Sequence, residues 1–493
     1  MAAVLAVVRP HMNGVGGDAF ALFYNAETSA VTALNASGRA GALATPEFFA
    51  GKGITSMPQS GALSVTVPGA VSAWAAALER YGSISFAEAL QPAIHYATEG
   101  SPVSWRLESD IGAAVRRLND GGRAIFMPQG QAPRAGEIFR NLALGETLRT
   151  LAREGPSALY GGSIGRALAD FLEAEGGHLR LADFARHVPE WAEPPSIEYQ
   201  GRKVYTAPPN SQGAILLQQL GIAREFPLAQ LGHNSAEYLH TLVEVKKLAF
   251  ADRDRWFADP AVAPAPLDRL LAPAYLSERA RLVGAKAAPE AAPGFGEVIA
   301  TTVAAGDGDT VYLMAVDQWG NAVSWIQSLF ASFGSRLVEP TTGIVLQNRG
   351  GGFTLQARHP NLIAPGKRPF HTLMPVMVTD AAGRLELTLG TPGGHGQSQT
   401  VLQVLNNVLL FGMTPQQAIE APRFEHANGV ALNIEAGITP AVREALTARG
   451  HQLRVTSGWT AAFGGAQMIR VSHSPLVLYT GADPRREGYA VAY

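Results

Sequence analysis

The 493-residue chain carries 39 basic and 41 acidic residues, a net charge of −2, and no cysteine, which excludes thiol catalysis, disulfides and Cys-ligated zinc. Hydrophobic residues make up 47% and charged residues only 16%, against roughly 25% charged in ordinary soluble proteins, so a large core and one or two closely packed units are expected. There is no basic stripe with interleaved aromatics, no apolar run near the roughly 20 residues of a membrane helix, and no repeat at a fixed period, so nucleic-acid binding, membrane association and solenoid folds are not expected.

The start, Met1–Val8, is apolar but has neither a basic leader nor a cleavage site. A cytoplasmic location is therefore expected over export. It reads as the end of a helix, so an upstream segment is expected to be missing. The Gly-rich segment Met12–Phe20 precedes a strand instead of following one, so the dinucleotide fingerprint fails and close backbone packing is expected. Asp18–Ala40 reads as two strands around a turn at Asn25–Thr28. Helices are predicted at Ala70–Tyr81 and Ser85–Thr98. The second opens with Ser85 and Glu88 in capping-box spacing and ends at Gly100.

A long amphipathic helix is predicted from Ser235 to Phe257. Pro266–Gly306, rich in Ala, Pro and Gly, reads as an exposed connection leading to Asp309 and Thr310. Val311–Val316 is a continuous apolar run that fits a strand buried on both faces. Gly320-Asn321 is a turn, and Ala322–Leu329 returns as a strand. Leu385–Leu389 is a further strand, followed by the loop Gly390–Gly396 and a helix through about Phe411. Thr414-Pro415 starts another helix. Strands mixed with helices and hairpins predict an α+β fold in layers rather than a doubly wound parallel sheet.

Few of the candidate chemical residues are specific alone. A threonine hydroxyl needs an adjacent base to act as a nucleophile. If the Asp309–Thr310 bond is cut, Thr310 gains an α-amine with a pKa of about 7.7–8.0, which can serve as that base. A threonine before a strand is otherwise structural. The Gly390–Gly396 loop between strand and helix either gathers backbone N–H groups for an oxyanion or is a plain turn needing positive φ. No Gly-Lys-Ser/Thr follows, so it is not a P-loop. Arg39, in Ser-Gly-Arg-Ala-Gly, could grip a carboxylate or stand at the surface. His11, His240, His371 and His395 show no ligand spacing, so no metal is expected. The serines, Ser64 among them, lack the G-x-S-x-G elbow.

Taken in order, these pieces resemble the gamma-glutamyltransferase family over nearly the whole chain. The resemblance rests on Pro10-His-Met-Asn-Gly-Val-Gly-Gly17, Val67-Pro-Gly-Ala70, Gln91-Pro-Ala-Ile94, Pro208-Pro-Asn-Ser-Gln-Gly213, Phe250-Ala-Asp-Arg253, Asp259-Pro260, Val316-Asp-Gln-Trp-Gly-Asn-Ala-Val323, Phe333-Gly-Ser335, Arg423-Phe-Glu425 and Asp483-Pro-Arg485. It implies an N-terminal-nucleophile hydrolase with a four-layer αββα sandwich. It also implies self-cleavage between Asp309 and Thr310 into a large-subunit portion, 1–309, and a small-subunit portion, 310–493, held as a heterodimer of one intertwined fold. Thr310 falls on the nucleophile and Ser328 on the hydroxyl that assists it. Gly393 and Gly394 fall on the oxyanion glycines, and Arg39 falls on the arginine that holds the substrate carboxylate. No cofactor is implied.

Several positions depart from the family pattern. Thr310-Val311-Tyr312 replaces Thr-Thr-His, and Phe330 replaces an asparagine. Arg349 and Gly352 replace a glutamine and the aspartate that holds the substrate ammonium. His371 and Thr372 replace two serines, and with Arg39 and Arg349 they are expected to bind the substrate. Thr354–Gly366 is short, so an open site is expected. A buried ammonium without a carboxylate partner is costly, and Arg349 is expected to repel it further. The expected activity is hydrolysis of γ-glutamyl amides, glutathione-like, favoured over transfer. The alternatives are an acylase for glutaryl or β-lactam side-chain amides and a non-cleaving pseudoenzyme.

Overall fold

The computed structural model describes residues 1–296 and 308–492. Eleven strands build two sheets: β1 (Asp18–Asn25), β2 (Ala30–Asn35), β3 (Glu190–Ala192), β4 (Ser196–Tyr199), β5 (Arg202–Thr206), β6 (Gly308–Val316), β7 (Ala322–Ala331), β8 (Val376–Thr379), β9 (Leu385–Gly390), β10 (Gln467–His473) and β11 (Leu476–Ala482). One sheet runs β3-β2-β1-β7-β6 and the other β11-β10-β9-β8-β5-β4, with antiparallel neighbours throughout. Both sheets combine strands from either side of the Asp309–Thr310 bond.

The two-residue period of a strand divides the side chains between layers. Along β1, Leu22 and Tyr24 turn towards the other sheet and pack with Met377, Leu385 and Ile469. Phe20 meets Tyr312, Ile326 and Leu373. Ala19 and Ala21 face the opposite way. There they meet helices α1 (Ala2–Val8), α2 (Ala70–Tyr81), α3 (Phe86–Thr98), α4 (Leu142–Glu154) and α5 (Ser163–Ala174) through Val71, Trp74, Ile94, Leu148 and Leu168. On the far side, Val376, Val378, Leu387 and Leu389 pack under α6 (Gly213–Ala223), α7 (Ala236–Trp256) and α8 (Gln397–Leu409). The order is helix, sheet, sheet, helix, the four-layer αββα sandwich that was expected.

Local signals held where side chains close their own turns. Asn25 Oδ1 accepts from Thr28 N at 2.9 Å in the first hairpin. Ser85 and Glu88 form a reciprocal capping box, and Thr414 with Gln417 forms another. Two expectations need correction. The stretch from Pro266 is not a bare connection, because it contains helices at Leu267–Leu270 and Pro273–Ala280. Tyr275, Leu276 and Arg279 are buried there, and Arg279 Nη2 donates to Leu248 O of α7 at 2.9 Å. Packing against α7 makes up for the weak local pattern. The part from 297 to 306 lies outside the described residues. Val311–Val316 is buried only in its first half, and Ala315 is exposed; β6 is an edge strand, and only Met314 and Val316 of its far half pack against the second sheet. Among the described residues no helix is long and apolar enough to cross a membrane.

Leu387 is fully buried between the second sheet and its helices. Leu387→Ala should cost about 2–5 kcal/mol through lost contacts and the cavity left behind, read as a lower urea midpoint with an unchanged slope.

Candidate active site

The Asp309–Thr310 bond lies in β6 where its pairing with β7 slips. Asp309 pairs with Phe330 and Val311 with Gln327, so Ser328 and Leu329 together face Thr310. This β-bulge re-aims side chains locally. Phe330 takes φ +81, a left-handed conformation unusual for a bulky residue.

Ser328 Oγ sits at the junction. It donates to Asp309 O at 2.7 Å and receives Phe330 N at 2.7 Å, Thr310 Oγ1 at 3.1 Å and Arg349 Nη2 at 3.3 Å. A hydroxyl has one proton and two lone pairs. Three donors therefore compete for two acceptor positions. Of these, the Thr310 hydroxyl can turn its proton to another acceptor with its oxygen in place. Thr310 is buried, at 1% exposure.

Gly393 and Gly394 form the turn that enters α8, with φ +130 and +52. The turn rests directly on the strand before Thr310: a Cβ added to Gly308 would meet Gly394 Cα at 2.6 Å and Gly394 N at 2.8 Å. Gln212 Nε2 ties the turn down by donating to Gly394 O at 2.9 Å and to Thr372 O at 2.8 Å. Gln212 carried no distinguishing sequence signal beyond its place in Pro208–Gly213. Tyr312 lies across Gly390, whose added Cβ would fall 2.3 Å from the ring, and its hydroxyl contacts Ser324 Oγ at 2.7 Å and Thr388 Oγ1 at 3.0 Å.

Arg349 is 1% exposed. Its Nη1 donates to Thr372 Oγ1 at 3.2 Å, and its guanidinium lies 4.2 Å over the Phe330 ring. Two departures from the family pattern thus meet as a cation–π pair. Burial draws the guanidinium pKa down to about 9, and Asp18 opposes the shift. Asp18 Oδ1 accepts from Gly38 N at 3.0 Å and from Gln347 Nε2 at 3.0 Å, and Oδ2 lies 3.2 Å from His371 Nε2. Burial pushes its carboxyl up to about 7, with Arg349 and the N–H donors pulling the other way. His371 is held well below its ordinary pKa by burial and by Arg349, so it is neutral. Leu373 N reaches its Nδ1 at 3.2 Å, which leaves Nε2–H to donate to Asp18. The segment Met12–Phe20 does pack backbone on backbone, since a Cβ on Gly17 would fall 2.6 Å from Ser328 O. Its acidic member, Asp18, is the residue that reading missed.

His371 and Thr372, expected at the substrate, are buried, and both bond within this cluster. The repulsion expected from Arg349 is also moderated, because Asp18 answers its charge. Arg39 stands apart at a pocket of about 280 Å³, with Ala40, Val67, His187 and Gly366. Its guanidinium pairs with Glu190 at 2.8 Å and Asp259 at 3.3 Å. One cluster that spacing did not reveal lies elsewhere. His240, Glu244 and His451 bring their ligand atoms within 4.8 Å of one another. There His240 Nδ1 and His451 Nε2 bond at 2.9 Å, and Lys247 Nζ meets Glu244 at 2.7 Å and supplies positive charge.

The family model described as Gamma-glutamyltranspeptidase matches residues 1–493. A glutathione hydrolase-like proenzyme of Bacillus subtilis is 40% identical, over 100% of this chain and 92% of its own length. An oxamate amidohydrolase proenzyme of Klebsiella pneumoniae is 36% identical over the same shares. The crystal structure of a cephalosporin acylase from Bacillus halodurans superimposes with a TM-score of 0.93 at 36% identity, covering 100% of this chain and 90% of that one.

The raised Asp18 pKa of about 7 sets a sign for stability against pH. An unfolded aspartate titrates near about 3.9. Between these values the folded chain holds a proton that the unfolded chain has lost, so Asp18's contribution to stability falls as pH rises through the window. Asp18→Asn removes that dependence. Its stability relative to wild type should rise from about pH 4 to about pH 7, measured as urea midpoints at several pH values; a flat difference would mean that Asp18 titrates normally.

Proposed function

Because the chain belongs to the gamma-glutamyltranspeptidase family of N-terminal-nucleophile hydrolases, we propose that it is a self-processing threonine amide hydrolase that cuts itself between Asp309 and Thr310. The observation that carries this reading is the Ser328 hydroxyl. It donates to the Asp309 carbonyl at 2.7 Å while lying 3.1 Å from Thr310 Oγ1. It polarises the carbonyl to be attacked and stands beside the attacking oxygen.

In maturation, Thr310 Oγ adds to the Asp309 carbonyl carbon, the C–N bond breaks, and the acyl group passes to oxygen as an ester. Water then hydrolyses the ester. This leaves a carboxylate on Asp309 and a free amine on Thr310, with 1–309 and 310–493 staying together as two interleaved fragments. In turnover, the new amine takes the proton from Thr310 Oγ as that oxygen attacks a small amide substrate. Gly393 and Gly394 steady the oxyanion, the leaving amine departs with the proton, and water releases the acyl group. None of these steps calls on a cofactor.

The acyl group is of the γ-glutamyl type, and hydrolysis is favoured over transfer because the donor site lacks the aspartate that would hold an α-ammonium. Gly352 offers no carboxylate there, and Arg349 is a nearby cation. These residues favour a second reading, an acylase for glutaryl amides that carry the carboxylate without the amine. The cephalosporin acylase and amidohydrolase relatives support acyl chemistry of that breadth.

Thr310→Ala should remain one uncut chain by denaturing mass spectrometry, whereas the wild type gives two fragments, the smaller starting at Thr310. A cut variant, or a wild type that stays whole after long incubation, would overturn the nucleophile assignment, the latter in favour of a pseudoenzyme. On the second reading, kcat/KM of the mature enzyme for a glutaryl anilide should exceed that for its γ-glutamyl analogue in steady-state assays; the reverse order would sink the electrostatic argument against the amine and leave the γ-glutamyl reading.

A further inference from the structure

Asp309 is held by its side chain as well as by its carbonyl. Its Oδ1 accepts from Arg486 Nη1 at 3.1 Å, with the two side chains only 16% and 14% exposed. Arg486 packs on Gly465, next to the residue that borders the proposed oxyanion turn. Its aliphatic stem covers Gly465, where an added Cβ would fall 2.7 Å from Arg486 Cδ, and a Cβ on Gly393 would lie 3.7 Å from Gly464 Cα. The next residue fixes this segment: Glu487 pairs with Arg9 and accepts from Ser104 Oγ at 2.7 Å and Arg106 N at 3.2 Å. Arg486 has little else to bind. Nη2 reaches Ala461 O at 3.5 Å, and Nε is buried with no partner among the described residues.

The maturation cut would sever the covalent tether that keeps Asp309 in front of this guanidinium. No such event releases Arg39, whose partners Glu190 and Asp259 belong to the folded body. We propose that in the mature enzyme Arg486 holds the carboxylate of a succinyl- or glutaryl-type acyl group, in the place the Asp309 side chain occupies before the cut. This rests on the reading of Thr310 as the nucleophile.

The geometry follows from the shared oxygen. Thr310 Oγ would carry the Asp309 acyl group in maturation and the substrate acyl group in turnover, so both hang from one atom. In Asp309 two carbons, Cα and Cβ, separate the acyl carbon from the carboxylate, the spacing of a succinyl group, and a glutaryl group adds one methylene to it. A guanidinium already fixed at that distance from the acyl carbon is preorganised for a short dicarboxylic acid monoamide. It is not preorganised for an uncharged chain.

The test compares wild type with Arg486→Leu and Arg39→Leu on succinyl, glutaryl and butyryl anilides. Arg486→Leu should lower the ratio of kcat/KM for glutaryl over butyryl by about tenfold or more, chiefly through KM, and the succinyl ratio likewise. If Arg486→Leu fails to cut itself because Asp309 has lost its partner, Asp309→Ala/Arg486→Leu leaves no unpaired carboxylate and is compared with Asp309→Ala alone. Unchanged ratios in the Arg486 variants, or a loss confined to Arg39→Leu, would overturn the assignment. An uncut or inactive wild type fails at an earlier step, because it overturns the nucleophile reading before any variant is compared.

Discussion

The Arg349 guanidinium is the constraint around which the centre of the molecule is arranged. A charge at 1% exposure has given up its water and must be answered within the protein. Asp18 supplies the opposite charge once it loses its proton, near pH 7 and above. It is in turn supported by Gly38 N, Gln347 and the neutral His371. The Phe330 ring covers one face of the guanidinium, and Thr372 and Ser328 take its Nη hydrogens. Through Ser328 the network reaches Thr310 and the Asp309 carbonyl. Changes to the charge of this group are thereby coupled to the proposed nucleophile by a chain of contacts.

Close approach of backbones is the second condition. The strand that carries the proposed cleavage site meets the Gly393-Gly394 turn through Gly308, and that turn meets Gly464-Gly465 under Arg486. A side chain at Gly308 would displace the turn, because no atom beyond hydrogen fits there. Glycine therefore lets three segments distant in sequence approach backbone to backbone. The register shift beside Thr310 completes the arrangement by directing Ser328 towards both the carbonyl and the attacking oxygen.

The departures from the family pattern are physically connected. Phe330 and Arg349 stack on one another, and His371 and Thr372 bond to Asp18 and Arg349. These residues form a compact buried charge cluster around Arg349 and Asp18. Arg39 and Arg486 are two of the guanidinium groups outside this cluster that are candidates for a substrate carboxylate. They differ in one respect: the partners of Arg39 are fixed parts of the fold, and the partner of Arg486 lies on the strand that carries the proposed cleavage site.

By itself the sequence determined the local elements and their class. Ser85 with Glu88, Ser235, and Thr414 with Pro415 name helix starts because capping acts within one turn. Asn25 and Thr28 name a hairpin for the same reason. The order of motifs determined the family, and with it Thr310, Ser328, Gly393 and Gly394 as candidates. Only the tertiary structure decided which of the other polar residues matter together. Asp18 and Arg349, His371 and Asp18, Gln212 and Gly394, and Arg486 and Asp309 are far apart in the chain, and no local pattern pairs them. The helices after Pro266 escaped notice because they are held by burial against α7 rather than by their own periodicity. Pairing across such separations is set by where the two sheets stack and where glycine lets backbones touch, and burial then decides which charges must find each other.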